Sequence, residues 1–328
     1  MKLPKNFKSN FNLKENNSLK LNYFCEYFVS CDLKNDLFLI HDFLKEKKLK
    51  FWIMGDGTNI ILKNNLNGLV IKNNLKGFSI YKNSIIIGAG ETWDDVVLAA
   101  LDKNLYGLEN LSGIPGSVGA SPIQNIGAYG SEVSNFVNYI ETFNLEKGRF
   151  EVFSNQACNF SYRDSLFKKN PHLMITKVCL DLSNIFKPNT QYESLPKEVI
   201  NAKEQRQNIL SIRSLKLPNH KIIPNVGSFF KNPVISKSKL DELVIKFPNI
   251  KSYLFKKNRH KVSAAWLIEE AGLKGSKKGD CGISDLHSLV FYNFSDQSDF
   301  LVTYSLEVKD IIQEKFGIIL DYEPSIFS

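Results

Sequence analysis

Between Asn110 and Ser131 the chain carries no charged side chain, although 23% of all its residues are charged. This stretch holds glycines at 113, 116, 119, 127 and 130 together with Pro115 and Pro122. Glycine and proline at that density forbid a continuous helix, and the serines, asparagines and glutamine among them do not suit a lipid-facing run. What the stretch offers is exposed backbone. From Ile114 to Gly130, amide N–H groups can turn toward one anionic ligand, because the missing Cβ atoms let the main chain approach it closely. The expected partner is a pyrophosphate, while a Gly-rich surface loop without a ligand would have the same composition. A second loop, Gly55-Asp56-Gly57-Thr58-Asn59, follows a strand-like run but lacks the third glycine and the following helix of a Rossmann turn. Two such loops suggest a dinucleotide held from two sides, outside a Rossmann fold.

The elements that carry these loops are read from periodicity. Leu37, Ile40 and Leu44 recur at helical spacing, and Phe51 to Met54 then reads as a buried strand running into the first loop. Ile60 to Leu62 and Leu69 to Ile71 are strand-like, and Phe78 to Ile87 predicts a hairpin through Lys82-Asn83. Thr92 with Asp95 resembles a capping box with the shorter acid, opening a helix whose apolar stripe is Trp93, Val96, Val97, Ala100 and Leu101. Beyond the uncharged loop, strands are predicted over Val137 to Asn144 and Met174 to Leu182, then a basic helix around Ala202 to Ile212 and a junction near Lys216. The last part predicts helices over Leu240 to Phe247 and Ala264 to Ala271, a strand from Leu289 to Tyr292, and a long helix through Leu301, Tyr304, Val308, Ile311 and Ile312. Gly317 stops that helix, and Ile318 to Tyr322 reads as a final strand delivering Glu323.

The length of 328 residues suits two or three domains. A net charge of +8 allows anionic partners, but no basic block interleaved with aromatics argues for nucleic acid, and much of the lysine surplus reads as solvated surface. The cysteines at 25, 31, 158, 179 and 281 form neither a C-x-x-C pair nor a regular framework, so reduced structural thiols and no metal site are expected. The first twenty residues lack an apolar leader, and no run of apolar residues is long enough to span a bilayer, which points to a cytoplasmic protein without membrane insertion.

Gly55-Asp56-Gly57-Thr58-Asn59, the block from Gly107-Leu108-Glu109-Asn110 through Ile114-Pro115-Gly116 to Asn125-Ile126-Gly127-Ala128-Tyr129-Gly130, Tyr162-Arg163-Asp164-Ser165, and Gly227-Ser228-Phe229-Phe230-Lys231-Asn232-Pro233 together resemble the type I form of the UDP-N-acetylenolpyruvoylglucosamine reductase family. The likeness keeps the family's order and spans about residues 18 to 324. It implies an α+β fold: an FAD-binding part of the vanillyl-alcohol-oxidase (PCMH) type in two subdomains, then a C-terminal α/β substrate-binding domain. On that basis residues 1–17 are a polar extension, 18–75 with 317–328 form the first FAD-binding subdomain, 76–216 the second, and 217–316 the substrate-binding domain. The resemblance further implies noncovalent FAD, NADPH as hydride donor, and a monomer that reduces UDP-N-acetylglucosamine enolpyruvate to UDP-N-acetylmuramate for peptidoglycan. The flavin would contact Gly55, Asp56, Gly57, Thr58 and Asn59 from one loop. From the other it would contact Ile114, Pro115, Gly116, Ser117, Gly119, Ala120, Ser121, Gln124, Asn125, Gly127, Ala128, Tyr129 and Gly130.

Residue types can be checked against that chemistry. Hydride delivered from flavin N5 to C3 of an enolpyruvyl ether leaves negative charge over C2 and the carboxyl group, which calls for a cation and an acid. Arg163 offers planar, permanently charged donors suited to a carboxylate. Ser228 aligns with the serine that protonates C2, and Glu323 with the family's C-terminal glutamate. As isolated residues, Arg163 would form a surface ion pair with Asp164 as the adjacent candidate, Ser228 would be a turn residue, and Glu323 an exposed acid. Substrate contacts implied by the likeness are Tyr162, Tyr192, Arg213, Lys216, Asn232, Tyr253, Lys274 and His287, the last at a position where relatives can carry Gln. The C-terminal register departs from the family: Leu320-Asp321-Tyr322-Glu323-Pro324 stands where relatives commonly read Leu-Glu-Pro-Glu-Val, and aligning on Glu-Pro instead would place Ser325 at the acid's position. A sugar-alcohol oxidase of the same superfamily and a non-catalytic UDP-sugar-binding protein are the competing readings.

Overall fold

A computed structural model describes residues 2–192 and 194–328. The chain clusters into two compact units, one of residues 1–11, 24–57 and 66–213, the other of 12–23, 58–65 and 214–328.

In the first unit, a four-stranded sheet runs in the order Phe7–Asn12, Phe24–Cys31, Leu66–Asn73, Phe51–Met54. Leu66–Asn73 pairs in parallel with both of its neighbours. Parallel neighbours need a crossover, and helix Lys34–Lys47 supplies one, burying Leu37, Ile40, Phe43 and Leu44. The first of these strands lies within residues 1–17, the stretch expected from its polarity to be an extension. A second, antiparallel sheet has the order Arg149–Ser154, Val137–Asn144, Leu173–Asp181, Ser84–Gly88, Phe78–Tyr81. The predicted hairpin is present, with Lys82 turning at φ 54°. Helix Trp93–Asp102 buries the predicted stripe of Trp93, Val96, Val97, Ala100 and Leu101. The sheet and helix share a core that includes Ile85, Ile87, Ile140 and Val178.

The expected capping box at that helix is absent. Thr92 occupies the N-cap in an extended conformation, but its side chain makes no cap hydrogen bond. The reason is local: the carbonyl of Gly116 accepts from the Trp93 amide at 2.9 Å, so backbone from the Gly-rich stretch satisfies the helix start.

In the second unit, a four-stranded antiparallel sheet has the order Asn225–Ser228, Val290–Asn293, Cys281–Ile283, Lys277–Lys278. A three-stranded sheet sets Arg259–Val262 between Val234–Ser236 and Ser252–Lys256. Helices Lys237–Lys246, Ala264–Glu270 and Asp299–Phe316 lie close to the predicted spans, and the last ends at Gly317. The predicted strand from Ile318 to Tyr322 is not formed. Ile318 and Leu320 are buried and Ile319 exposed, an alternation produced by burial without a partner strand. Only Tyr322 bridges, to Phe230, and the strand comes later, Ser325–Phe327 lying parallel to Ile60–Leu62.

All five cysteines are buried and free, and burial pushes the Cys25 and Cys158 thiols up to about 12. Among the described residues no helix is long and apolar enough to cross a membrane, and no group of three His, Cys, Asp or Glu side chains could hold a metal ion.

Candidate active site

The two glycine-rich loops meet inside the first unit. A Cβ added at Gly55 would sit 2.2 Å from Ser117 Oγ, so only glycine lets the loops approach this closely. Ser117 is itself buried, and its hydroxyl has no hydrogen-bond partner among the described residues. A buried hydroxyl without a partner, packed against the bare backbone of Gly55, is a donor that an oxygen-rich ligand could satisfy. Gly57 belongs to this unit too, whereas Thr58 and Asn59 fall in the second; Asp56 is exposed.

The longer stretch divides its backbone between structure and display. The amides of Val118, Gly119, Ala120 and Ser121 donate to the carbonyls of Glu91, Ala89, Ser117 and Val118 at 2.7 to 3.1 Å. Ser121 Oγ donates to Val118 O at 2.8 Å. Asn125 is buried in the left-handed region, its Nδ2 donating to Glu132 at 2.8 Å and Ser161 O at 3.2 Å while its Oδ1 accepts from the Ser134 amide. These positions fix the loop's shape. Ile114, Gly116 and Gln124 are half-buried and Pro115 and Ala120 exposed; Gly127–Ala128 pairs with Ser131–Glu132, and Tyr129 and Gly130, both at positive φ, make the turn.

Arg163 sits at φ 53°, an uncommon conformation for a residue with a side chain. Reciprocal bonds between Ser161 and Asp164, at 3.0 and 3.2 Å, close the turn that imposes it. The guanidinium lies 5.5 Å from the Tyr162 ring centroid, and Nη2 donates to the Gly127 carbonyl at 2.9 Å. Asp164, the adjacent candidate for an ion pair, instead pairs with Lys169 at 3.0 Å. The turn therefore holds its arginine against the Gly-rich stretch.

Asp94, in the first turn of helix Trp93–Asp102, organises the other flank. It accepts from the Gly113 amide at 2.6 Å and takes both arms of Arg206 at 2.6 and 2.8 Å. Burial acts to raise the Asp94 pKa, but the bonds from Arg206 and Gly113 outweigh it and hold the carboxyl below its usual range. Arg206 and Arg213 both belong to helix Ala202–Lys216. Burial pulls the Arg213 pKa down, while Tyr129 and Asp94 act the other way. Tyr129 also meets Tyr192 edge-on, with ring centroids 5.3 Å apart. Asn110 donates to the carbonyls of Tyr129 and Asn189 at 2.8 and 2.9 Å.

In the second unit, strand Asn225–Ser228 pairs irregularly with Val290–Asn293, and Gly227 at φ 71° sits in the irregularity. A kink there re-aims the half-buried Ser228 that follows. The chain continues as a backbone ladder: Phe229 N donates to Leu289 O at 2.7 Å, Glu323 N to Phe229 O at 3.0 Å, and Lys231 N to Asp321 O at 2.9 Å. The Ser325 amide donates to Asn59 O at 3.0 Å. Asn59, Ser228 and Glu323, far apart in sequence, are thus drawn to one place, with Glu323 buried.

Asn232 Oδ1 accepts from the Ala264 amide at 2.9 Å, orienting the start of helix Ala264–Glu270. Tyr253 is exposed on strand Ser252–Lys256. Lys274 and Ser288 reach Glu269 Oε1 at 3.2 and 2.7 Å. Burial acts to raise the Glu269 pKa, and those two bonds reverse the direction. His287 Nδ1 accepts from the Leu289 amide at 3.1 Å, leaving Nε2 to carry the ring proton. Burial lowers its pKa, opposed by Glu269 and reinforced by Lys216 and Lys274. Sequence reasoning missed Glu269, Ser288, Asp94 and Arg206. The one available signal was Asp94 in the first turn of a predicted helix.

A family profile described as the C-terminal domain of UDP-N-acetylenolpyruvoylglucosamine reductase matches residues 217–327, and an FAD binding domain profile matches residues 26–154. The UDP-N-acetylenolpyruvoylglucosamine reductase of Flavobacterium johnsoniae is 37% identical, covering 97% of this chain and 98% of its own. That of Shewanella sediminis is 36% identical, covering 97% and 96%. This chain belongs to the UDP-N-acetylenolpyruvoylglucosamine reductase family.

The crystal structure of the Thermus caldophilus enzyme of this reductase family matches the fold with a TM-score of 0.69 at 23% identity, covering 97% of this chain and 98% of that one. The α+β class expected from the sequence, with an FAD-binding fold and a distinct C-terminal part, is borne out. As a member of the reductase family with an FAD binding domain, the chain is an FAD-dependent oxidoreductase. The Gly55–Ser117 cradle, with its orphan hydroxyl, fits that cofactor.

Proposed function

We propose that the chain catalyses NADPH-dependent reduction of UDP-N-acetylglucosamine enolpyruvate to UDP-N-acetylmuramate, a step toward peptidoglycan precursors. The observation that carries the reading is the Glu323–Phe229 backbone bond, which sets a buried acid beside the strand end bearing Ser228. The substrate's reacting part is an alkene conjugated to a carboxylate. FAD, when bound, supplies the hydride, which originates in NADPH. Addition at C3 leaves charge over C2 and the carboxylate. Arg163, steadied by Tyr162 and Gly127, is assigned to the carboxylate. Ser228 is assigned the proton transfer from Oγ to C2, and Glu323, protonated or bridged by water, the support of the developing negative charge.

Gly55, Gly57 and Ser117, with the turn at Tyr129 and Gly130, are assigned to the cofactor, and Asp56, Thr58 and Asn59 to the same loop's contacts. Lys216, Lys274 and Glu269 all act on His287, and the two lysines with the histidine suit the anionic part of a UDP-sugar. Arg213, Tyr192, Asn232 and Tyr253 complete the proposed substrate contacts. The division into 18–75 with 317–328, 76–216 and 217–316, a monomeric state, the cytoplasmic location and NADPH as the hydride donor belong to the same proposal.

Purified protein tests it directly. Visible flavin absorbance should bleach on anaerobic addition of NADPH and return on addition of UDP-N-acetylglucosamine enolpyruvate. A colourless preparation that FAD does not reconstitute, or reoxidation by dioxygen with peroxide release and none by the enolpyruvyl substrate, overturns it.

A further inference from the structure

The C-terminal segment that carries Glu323 is short of regular structure. Residues 318–321 form no strand, and across from Phe229 to Lys231 it has two backbone bonds, from Glu323 to Phe229 and from Lys231 to Asp321. The backbone is next pinned at Ser325, where the strand on Ile60–Leu62 begins, and before that point two bonds flanking a single bridge leave the register of the buried acid to side chains. The side chain of the bridging residue, Tyr322, adds four further attachments. Its ring stacks on Phe230, with centroids 5.4 Å apart and planes 21° from parallel, and meets Phe229 edge-on at 5.6 Å. Lys309 Nζ lies 4.7 Å from the ring centroid. Its hydroxyl is 2.8 Å from Ser305 Oγ.

The direction of that last bond is set by its neighbour. Ser305, fully buried on helix Asp299–Phe316, donates its own hydroxyl proton to Val302 O at 2.7 Å. The Tyr322 hydroxyl is therefore the donor to Ser305 Oγ. One side chain thus ties the helix to the strand end that bears Ser228, with Glu323 next in the chain.

We propose that Tyr322 is a positioning residue for the reaction: through its hydroxyl on Ser305 and its ring on Phe230 it latches the C-terminal segment and fixes Glu323 relative to Ser228. This rests on the catalytic assignment of Glu323 and Ser228 made above. Tyr322 itself touches no reacting atom. Its effect is on the step that needs both residues aligned, not on cofactor retention or substrate capture.

The test compares Tyr322→Phe, which keeps the ring and removes the hydroxyl, with Ser305→Ala, which removes the same bond from the other side. Amide hydrogen exchange at Glu323 and Lys231, measured with and without FAD, should accelerate about tenfold in each variant. In the FAD-loaded protein, kcat should fall about tenfold with KM within about twofold, and the double variant should be no slower than either single one. Unchanged exchange and turnover, or additive losses in the double variant, overturn the latch. Glu323→Gln separates this from the underlying reading. Full turnover in Glu323→Gln overturns the assignment of Glu323 and the positioning role with it, whereas lost turnover there beside a normal Tyr322→Phe overturns the latch alone.

Discussion

The amide of Glu323 donates to the carbonyl of Phe229 at 3.0 Å, so the acid lies across the ladder from the residue that follows Ser228. Ser325, the alternative occupant of the acid's position, begins the strand parallel to Ile60–Leu62 instead. Of the two registers, the backbone pairing thus sets Glu323, not Ser325, across from the residue after Ser228. If Ser228 delivers the proton to C2, Ser228→Ala leaves flavin reduction by NADPH near normal and slows reoxidation by the enolpyruvyl substrate by roughly 10² to 10⁴. Stopped-flow absorbance separates the two halves, and equal slowing of both would remove Ser228 from the chemistry.

The buried hydroxyl of Ser117 makes opposite predictions for the empty and loaded protein. Removing an orphan polar group relieves a desolvation cost of about 1 kcal/mol, so Ser117→Ala should leave the FAD-free protein as stable or more so. The same change deletes a cradle donor and should weaken FAD binding several-fold. Gly55→Ala forces a methyl group to within 2.2 Å of Ser117 Oγ and should cost about 1 to 3 kcal/mol and also weaken FAD. FAD titration by fluorescence and urea melts of both forms check these together; tighter FAD binding in Ser117→Ala would exclude that hydroxyl from the cradle.

The loops were legible in the sequence because close backbone approach demands glycine, and the stripe from Trp93 to Leu101 because a helix must bury one face. The strand Phe7–Asn12 was not, since its burial pattern is half exposed and four of its six residues are polar. Short strands such as Val234–Ser236 and Cys281–Ile283 give too few residues for a period to emerge. The site's residue types were readable through family likeness, but its supporting contacts were not. Asp94 and Arg206 are 112 positions apart, and nothing local in either stretch names the other. Likewise, the strand read into Ile318 to Tyr322 mistook alternating burial for pairing.

That Asp94–Arg206 pair has a definite pH signature. The folded carboxyl sits below its unfolded value, so its contribution is complete above about pH 4, the ordinary aspartate range, and is lost as pH falls through the depressed folded value. Asp94→Asn should destabilise the protein by on the order of 2 kcal/mol at neutral pH, because it leaves Arg206 without its fork partner. The gap between wild type and variant should narrow steadily below pH 4. Urea denaturation across that range measures it, and a gap independent of pH would mean that the carboxylate charge is not what matters.

His287 acts closer to neutrality. Its ring accepts from the Leu289 amide at Nδ1, and burial with Lys216 and Lys274 nearby depresses its pKa despite Glu269. A histidine whose folded pKa lies below the ordinary value of about 6.5 takes up its proton more readily when unfolded. The stability of the neutral form is therefore complete above about pH 6.5 and is lost as pH falls from there through the folded value. Protonation would also replace the acceptor at Nδ1 with a second donor and break the bond to Leu289. His287→Gln should flatten this limb: denaturation midpoints at pH 5, 6, 7 and 8 should converge in the variant relative to wild type. Ring nitrogen shifts in wild type should report a single Nε2–H tautomer at pH 7, and a mixture of tautomers there would show that the Leu289 amide does not set the ring.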